Sequence, residues 1–345
     1  MIVHQFIAAA GPHDAVTEQA LAWDEVIAGL GHQTYIVAER VDPVMKDRIA
    51  LLRSFRRLPE PDAAVLHYSI WSGLVPFVRD SPWPLGICYH NITPGDLLRA
   101  HNPQIADLCD QGRDGLSSLR RARVAIAVSE FNARELTANG FEAPQVVPLL
   151  LPPPNSRSSE RPDEPTSVLS VGRIAPNKRL EDCLRVFALY QRHHDSDARL
   201  TLVGSDDAFP TYGRALRALA QELGVRNVAF TGRISEAAKQ LLYEQAHIYL
   251  CMSVHEGFCA PLVEAMEVDI PVVARAAGAV PETLGAGGIA INDKDPALFA
   301  EAIHLVRSDD ELCDRIRRGA ARQRAAFHPD AVSNRLRSAL EPLLT

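Results

Sequence analysis

Two carboxylates, Glu256 and Glu264, are separated by seven residues in the chain. The apolar run 248–252 before them predicts a buried strand, and residues 261–267 predict a short helix that tolerates Pro261 in its first turn. One carboxylate therefore follows a strand, and the other lies on the next helix. Backbone N–H groups at a helix N-terminus favour anionic or hydroxyl-rich ligands, and open α/β sheets bind ligands at this end of their strands. The stretch predicts a polar-ligand site with two hydroxyl acceptors.

A glycine and two bases follow another predicted strand. Residues 170–179 run Ser-Val-Gly-Arg-Ile-Ala-Pro-Asn-Lys-Arg, so the strand ends at Gly172, where no side chain blocks close approach of a ligand to the backbone. Arg173 and Lys178 supply cationic donors at the entrance of the next helix, which suits a diphosphate. The alternative is an ordinary strand–helix turn with two solvated bases.

Composition narrows the class of protein. The chain has 345 residues, of which 47% are hydrophobic and 23% charged, and its formal net charge is −7. These values are typical of a soluble globular protein with two domains, and the negative charge argues against nucleic acid as a partner. Six scattered cysteines without a Cys-x-x-Cys pair favour buried, reduced thiols in a cytosolic protein. No zinc motif, Ser-His-Asp pattern, P-loop or membrane-spanning run is recognisable.

Strands and helices are expected to alternate along the chain. Predicted strands cover 2–7, 34–38, 63–68, 85–90, 124–128, 145–147, 167–171, 199–203, 227–230, 247–252 and 271–274. Predicted helices cover 15–30, 71–78, 104–121, 130–138, 179–192, 212–223, 235–245 and 296–307, with a helical tail over 309–344. Strict alternation implies parallel sheets with helices on both faces.

A Pro-rich, polar stretch over 149–165 separates two halves with this pattern. We expect an N-terminal domain over 1–150, a linker over 151–165 and a C-terminal domain over 166–328. Residues 329–345 should form a helix that packs back on the N-terminal domain. Two such domains are expected to face each other across a ligand-binding cleft.

Taken together, four motifs resemble those of one enzyme family. They are Gly-Arg-x-x-x-x-Lys at 172–178, Leu-Val-Gly at 202–204, Phe-Thr-Gly at 230–232 and the Glu-x7-Glu stretch. The chain resembles the retaining nucleotide-sugar glycosyltransferases of glycosyltransferase family 4 (glycosyl transferases group 1), most strongly over 167–292. The resemblance implies the GT-B fold, an α/β fold with two facing Rossmann-like domains, parallel sheets and an interdomain cleft. The N-terminal domain would receive the acceptor, and the C-terminal domain would bind the nucleotide-sugar.

The resemblance also implies roles in the C-terminal half. Arg173 and Lys178 would neutralise the donor diphosphate, Glu264 would bind the ribose hydroxyls, and Glu256 would bind the donor sugar. Other donor-binding positions, which act mainly through the backbone, are Gly172, Gly204, Arg233, Ile234, Gly257, Phe258, Cys259 and Ala260. Arg173, Lys178 and Glu256 are the catalytic candidates of this half.

In the N-terminal half, His90 ends a predicted strand, where the family places a histidine that bridges the donor sugar and the reaction centre. The alternative is a hydrogen-bonded structural histidine. Asn91 and Thr93 are weaker candidates for ligand contacts. The loop at 10–14, which contains Gly11, resembles the family's glycine-bearing loop. The second glycine common in relatives is missing here, which favours recognition of the acceptor over a contact with the donor phosphate. Asp14 is equally suited to ligand binding and to an N-cap.

The expected function is a hexosyltransferase. It would transfer a hexose from a UDP- or GDP-linked donor, with retention, to a glycan, lipid-linked or small-molecule hydroxyl. The family implies no metal and no cofactor, and a cytoplasmic location, either free or loosely attached at the inner membrane face. A nucleotide-sugar epimerase or phosphorylase of the same fold and a non-catalytic nucleotide-sugar-binding protein remain alternatives. A dinucleotide oxidoreductase is disfavoured because neither half carries Gly-x-Gly-x-x-Gly.

Overall fold

The computed structural model describes residues 1–152 and 163–345, so most of the expected linker, 151–165, lies outside the described residues. The described residues divide into two compact units. The first, here the N-terminal domain, comprises Met1–Gly95, Gln104–Leu151 and Phe327–Thr345. The second, here the C-terminal domain, comprises Asp96–Pro103 and Pro152–Ala326, apart from the residues not described.

The N-terminal domain begins with strand β1, and its elements alternate as the sequence predicts. In chain order they are β1 Ile2–Ala10, α1 Ala15–Gly29, β2 Gln33–Val41, β3 Ile49–Leu51, β4 Ala63–Tyr68, α2 Leu74–Arg79, β5 Leu85–Tyr89, α3 Pro103–Gly115, β6 Val124–Ala127, α4 Glu130–Ala138 and β7 Gln145–Val146. Within the described residues, seven strands form one parallel sheet in the order β3-β2-β1-β4-β5-β6-β7. Strand order reverses between β1 and β4, and open α/β sheets usually bind ligands at the carboxyl ends of the strands beside such a reversal.

The C-terminal domain repeats this architecture. Its elements are β8 Ser167–Val171, α5 Leu180–His193, β9 Arg199–Val203, α6 Pro210–Glu222, β10 Val228–Gly232, α7 Glu236–Gln245, β11 Ile248–Cys251, α8 Ala260–Glu267, β12 Val272–Arg275, α9 Val280–Leu284, β13 Gly288–Ile291, α10 Pro296–Ser308 and α11 Asp310–Ala325. Six of the described strands form a parallel sheet in the order β10-β9-β8-β11-β12-β13. This is the doubly wound order, and its reversal lies between β8 and β11.

The last helix, α12 (Pro329–Leu344), belongs to the N-terminal domain and packs against α1, β5 and β6. Its buried face includes Leu336, Leu340 and Leu343. A Cβ added to Gly86 on β5 would lie 2.9 Å from the Leu343 side chain, so a glycine at this point lets the helix approach the sheet closely. Burying these leucines contributes roughly 2 kcal/mol each to holding the helix there.

The structure confirms the α/β class with two parallel sheets and corrects several boundaries. The helix expected over 71–78 begins only at Leu74, and the backbone N–H of Trp71 donates to the Leu108 carbonyl of α3 (3.2 Å). The helix expected over 104–121 ends at Gly115, and a 3-10 turn follows over Leu116–Leu119. A Cβ at Gly115 would lie 2.5 Å from the Trp71 ring, so the glycine that ends the helix makes room for that ring.

Strands β3 and β13 and helix α9, of three, four and five residues, were not predicted. All six cysteines lie in the described residues, five are buried, and none forms a disulfide. No helix within the described ranges is both long enough and apolar enough to cross a bilayer.

Candidate functional site

Three glycines bring the first three strand ends of the C-terminal domain together. The Gly172 N–H donates to the Val203 carbonyl (2.9 Å), and the Gly204 N–H donates to the Gly232 carbonyl (3.1 Å). Gly204 has a φ of +144°, and a Cβ there would lie 1.9 Å from the Gly172 carbonyl oxygen. Any other residue at 204 would therefore separate the loops that follow β8 and β9.

Lys178 and Glu256 form an ion pair where the strand order reverses. Lys178 ends a 3-10 turn after β8, and its Nζ lies 2.6 Å from Oε1 of Glu256, which follows β11. The Lys178 side chain is 20% exposed and that of Glu256 9%. Burial by itself lowers the pKa of Lys178, but the Glu256 carboxylate and the nearby Cys259 and Cys251 together outweigh it, so the pKa is raised and the ammonium stays charged.

Backbone contacts hold these two loops in register. The Val254 N–H donates to the Asn177 carbonyl (2.9 Å), and the Asn177 Nδ2 donates to the His255 carbonyl (3.3 Å). Because Asn177 precedes Lys178 and His255 precedes Glu256, the contacts fix the two charged side chains opposite each other.

A pocket between these loops collects four of the predicted residues: Gly172, Arg173, Lys178 and Glu256 line it. Arg173 is exposed, whereas Glu256 is buried. The pocket thus carries two cations and one carboxylate on a backbone that the glycines leave open. This arrangement suits an anion that also has hydroxyl groups.

Glu264 is held by a different pair of side chains, and it is not among the residues that line this pocket. Its Oε1 accepts from Lys239 Nζ (2.9 Å) and its Oε2 from the Tyr243 hydroxyl (2.7 Å). Both partners lie on α7, four residues apart. Burial lowers the pKa of Lys239, but the Glu264 and Glu236 carboxylates together outweigh burial, so the pKa is raised. Burial, and then Glu264, raises the pKa of Tyr243 well above its usual value, so this hydroxyl remains a donor.

Sequence reasoning missed Lys239 and Tyr243. The i, i+4 spacing of two polar groups on a predicted helix was the available signal.

The loop between Glu256 and α8 is fixed by contacts with the segment after β12. The Glu256 carbonyl accepts from the Ala279 N–H (2.9 Å), and the Phe258 carbonyl accepts from Thr283 Oγ1 (2.7 Å). A Cβ on Gly278, whose φ is +57°, would lie 2.5 Å from the Glu256 carbonyl oxygen. Gly278 was a further residue that the sequence analysis did not single out.

Phe258 and Cys259 are buried, and Gly257 and Ala260 are half-buried. Cys259 is the N-cap of α8 and has a left-handed φ of +69°. The side chains of Phe258 and Cys259 thus pack inward, and a ligand would meet this segment through its backbone.

Two clusters contain atoms able to ligate a metal. In the first, Cys251, Glu256 and Cys259 place their ligand atoms within 4.8 Å of one another, as do His67, Cys88 and His90 in the second. Glu256 is already paired with Lys178. The expectation that the site works without a metal stays a prediction.

Arg233 and Ile234 follow β10, at the expected place for a nucleotide base. Arg233 is exposed, and its Nη2 lies 3.4 Å from Oδ2 of Asp207. The Arg217 guanidinium lies over the Phe230 ring, 5.1 Å from the ring centre. Both contacts are made by side chains, whereas the sequence analysis assigned the binding of the base to the main chain at 233–234.

In the N-terminal domain, His90 directly follows β5 and is half-buried. Its Nε2 lies 2.9 Å from Nδ1 of His67, and burial lowers the pKa of His90 to about 4. Asn91 has a φ of +74° and donates from Nδ2 to Oδ1 of Asn132 (2.7 Å). Asn91 is therefore anchored to α4, and Thr93 is half-buried beside it.

Asp14 is the N-cap of α1. Its Oδ2 accepts from the backbone N–H and from the hydroxyl of Thr17, both at 2.9 Å. The Gly11 N–H donates to the same hydroxyl (3.2 Å), and a Cβ added to Gly11 would meet no atom within 4 Å. The sequence left ligand binding and helix capping open for Asp14, and the contacts of Asp14 in the structure are those of a helix N-cap.

Comparison with known proteins finds a family match in the C-terminal half of the chain. Residues 153–323, just under half of the chain, match the family model described as glycosyl transferases group 1. The match agrees with the transferase class expected from the sequence.

Two curated relatives are D-inositol 3-phosphate glycosyltransferases. The relative from Corynebacterium efficiens is 28% identical over 200 residues, which are 55% of this chain and 47% of that protein. The relative from Thermomonospora curvata is 31% identical over 177 residues, 49% of this chain and 41% of its own. The chain spans about half the length of the curated relatives that it matches.

Solved glycosyltransferase structures share the fold over the whole chain. Anabaena Alr3699/HepE, solved in complex with UDP-glucose, has a TM-score of 0.77 at 18% identity and covers 99% of both chains. Sucrose-phosphate synthase (tll1590) from Thermosynechococcus elongatus has a TM-score of 0.77 at 17% identity, again over 99% of both chains. The pneumococcal O-GlcNAc transferase GtfA, in complex with UDP and GlcNAc, has a TM-score of 0.75 at 12% identity, over 100% of this chain and 99% of its own. The GT-B fold expected from the sequence is confirmed.

Proposed function

We propose that this protein is a retaining glycosyltransferase of family 4 that transfers a hexose from a nucleotide-diphosphate sugar to a hydroxyl group. The observation that carries the proposal is the Lys178–Glu256 pair, because it combines a phosphate-binding cation and a hydroxyl acceptor where the C-terminal sheet reverses its order. Both residues lie within the stretch 153–323 that matches the glycosyl transferases group 1 model.

A UDP-linked donor is favoured over a GDP-linked one. Solved structures of the same fold contain UDP-glucose, or UDP with GlcNAc. For the acceptor we propose a hydroxyl of a glycan, a lipid-linked sugar or a small molecule. The curated relatives, which are named for D-inositol 3-phosphate, support a hydroxyl-rich acceptor.

In the proposed reaction the bond between the sugar's anomeric carbon and the diphosphate oxygen breaks, and the acceptor oxygen bonds to that carbon on the same face. The acceptor's proton moves to the departing diphosphate. Arg173 and Lys178 stabilise the negative charge that develops there, a role worth several kcal/mol in a site that excludes water. A lysine ammonium has three N–H donors, and Lys178 gives one to Glu256, so the pair can remain while the diphosphate binds. This mechanism requires no metal and no cofactor.

The remaining groups orient the donor. Glu264 would accept the ribose hydroxyls while Lys239 and Tyr243 hold its carboxylate in place. Main-chain groups at Arg233 and Ile234 would bind the base. Glu256 would accept hydroxyls of the hexose. We also propose that the protein acts in the cytoplasm, where it is either free or loosely attached at the inner membrane face.

Donor binding gives the first test. Isothermal titration with UDP, GDP, ADP and TDP, and then with the corresponding glucose conjugates, should show one preferred nucleotide. Arg173→Gln and Glu264→Gln should weaken its binding by about tenfold each, since each removes one charge-assisted contact. Arg317→Gln is the matched control, because it removes an exposed arginine that pairs with Asp314 on α11. Unchanged affinity in both site variants would reject the assignment.

Turnover separates the proposed enzyme from its alternatives. With UDP-glucose and a panel of sugar and inositol acceptors, proton NMR of the product should show the anomeric configuration of the donor, and EDTA should leave the rate unchanged. Conversion of the donor without an acceptor would indicate an epimerase. Tight binding without turnover across the acceptor panel would indicate a binding protein.

A further inference from the structure

A chain of hydrogen bonds crosses three neighbouring strands of the N-terminal sheet and ends at His90. Gln5 lies on β1, His67 on β4, and His90 directly after β5. The Gln5 Oε1 lies 2.9 Å from His67 Nε2, and His67 Nδ1 lies 2.9 Å from His90 Nε2. Gln5 and His67 are buried, whereas His90 is half-buried.

The contacts of Gln5, at the buried end of this series of hydrogen bonds, determine which atom of each pair donates. The Gln5 Nε2 donates to the Ala20 carbonyl (3.0 Å), a group that can only accept. The amide oxygen of Gln5 must therefore face His67. Because that oxygen can also only accept, the proton between the two residues belongs to His67 Nε2.

Because both histidine rings are neutral, the position of the proton on His67 also fixes the position of the proton on His90. Burial, and then the neighbouring His90, lowers the pKa of His67 well below its usual value, and burial lowers that of His90 to about 4. A neutral imidazole has one N–H and one acceptor nitrogen. With its proton on Nε2, His67 accepts at Nδ1, so His90 must donate from Nε2. The single ring proton of His90 therefore lies on Nε2 and is donated to His67, and His90 Nδ1 carries a lone pair that can accept a hydrogen bond.

We propose that Gln5 and His67 are positioning residues that hold His90 in the Nε2–H tautomer, so that His90 Nδ1 accepts a hydrogen bond from a substrate hydroxyl. A histidine with the opposite tautomer would present an N–H to the same ligand and would bind an accepting oxygen, such as that of a phosphate, carbonyl or hydroxyl group, instead. The relay thus requires a ligand group that donates, as the hydroxyls of a sugar can. The identity of that hydroxyl as part of a sugar rests on the proposed function; the tautomer does not.

The tautomer can be measured without substrate. Long-range nitrogen–proton NMR of protein labelled at its 12 histidines distinguishes Nε2–H from Nδ1–H rings, and single substitutions assign His67 and His90. In the native protein both rings should be in the Nε2–H form at pH 7.5. Gln5→Met, which keeps the length of the side chain but removes the acceptor, should release the constraint, and both rings should then populate the Nδ1–H form.

Cys88→Ala is the matched control, because the Cys88 thiol lies within 4.8 Å of one ring nitrogen of each histidine but is not a link in the relay. It should leave both rings in the Nε2–H form. An Nδ1–H signal for His90 in the native protein, or unchanged tautomers in Gln5→Met, would overturn the proposal.

Kinetics then tests the consequence for the reaction. With UDP-glucose as donor, Gln5→Met should lower kcat by about tenfold, equivalent to about 1.4 kcal/mol, and leave the donor KM within twofold, because the hydrogen bond at His90 is misdirected in the transition state. His67→Phe should have the same effect, and His67→Gln, whose amide both donates and accepts, should recover most of the rate. A loss in KM alone would contradict the relay.

The outcomes distinguish this inference from the proposed function. If the native protein shows the expected tautomers but turns over no nucleotide-sugar, the proposed function fails and the positioning of His90 holds. If turnover is normal but the tautomers differ, the relay is wrong and the glycosyltransferase assignment holds.

Discussion

The ion pair between Lys178 and Glu256 should contribute to the stability of the C-terminal domain before any donor binds. Lys178→Met removes the cation and leaves the Glu256 carboxylate, which is 9% exposed, without its partner. Breaking a buried pair from one side costs about 3–5 kcal/mol. Because the Lys178 side chain is 20% exposed, so that water can replace part of the contact, we expect about 3 kcal/mol.

A double-mutant cycle isolates the pair from the packing of the side chains. Glu256→Gln should cost less, about 1–2 kcal/mol, since the flexible lysine can turn toward water. In the double variant no charge is left buried, so most of the loss in Lys178→Met should be recovered. The coupling free energy should be about 3 kcal/mol.

The chain allows the two domains to be followed separately. Its three tryptophans, at positions 23, 71 and 83, all lie in the N-terminal domain, so tryptophan fluorescence during urea unfolding gives a reference that Lys178→Met should not change. Amide hydrogen exchange in β11 and α8 reports opening of the C-terminal domain. Exchange in these elements within about 0.5 kcal/mol of the native protein would show that the pair does not stabilise the domain, and the reasoning would be refuted.

Three further predictions follow from particular contacts. Among the described residues, neither ring nitrogen of buried His4 has a hydrogen-bond partner, and burial lowers the pKa of His4 from a usual 6.5 to about 4. The folded state therefore binds this proton more weakly than the unfolded state, and the stability of the protein falls as the pH drops from about 6.5 to 4. Urea unfolding should show that the stability of His4→Phe relative to the native protein increases by about 2 kcal/mol between pH 7.5 and pH 5. Gly204→Ala should lower the melting temperature and abolish nucleotide binding. The control is Gly224→Ala, which should cost only about 1 kcal/mol, because Gly224 has a positive φ of +64° but no atom lies within 4 Å of an added Cβ. Equal effects of the two substitutions would contradict the close approach of the loops after β8 and β9. Tyr243→Phe should weaken nucleotide binding severalfold without lowering the melting temperature by more than a few degrees, since it removes one hydrogen bond to Glu264, and unchanged affinity in titration would argue against a role for that contact.

The sequence by itself determined the elements of this fold and the loops that carry its site. Apolar runs of four to six residues between amphipathic segments predicted most of the strands and helices, because hydrophobic period is a local property of the chain. Strict alternation then required parallel sheets, whose carboxyl ends hold Gly172, Lys178 and Glu256. The edge strands β3 and β13 were not predicted and were found only in the structure.

Tertiary structure alone decided which side chains meet. Lys178 and Glu256 are 78 residues apart in the chain, and they pair because β11 lies next to β8 in the sheet. The partners of Glu264 on α7 and the relay from Gln5 through His67 depend in the same way on strand order and on the packing of helices against the sheets. A hydrophobic period fixes the face that a residue presents but not its neighbour across the sheet, so residue types suggested the chemistry of the site, and the order of the strands brought its groups together.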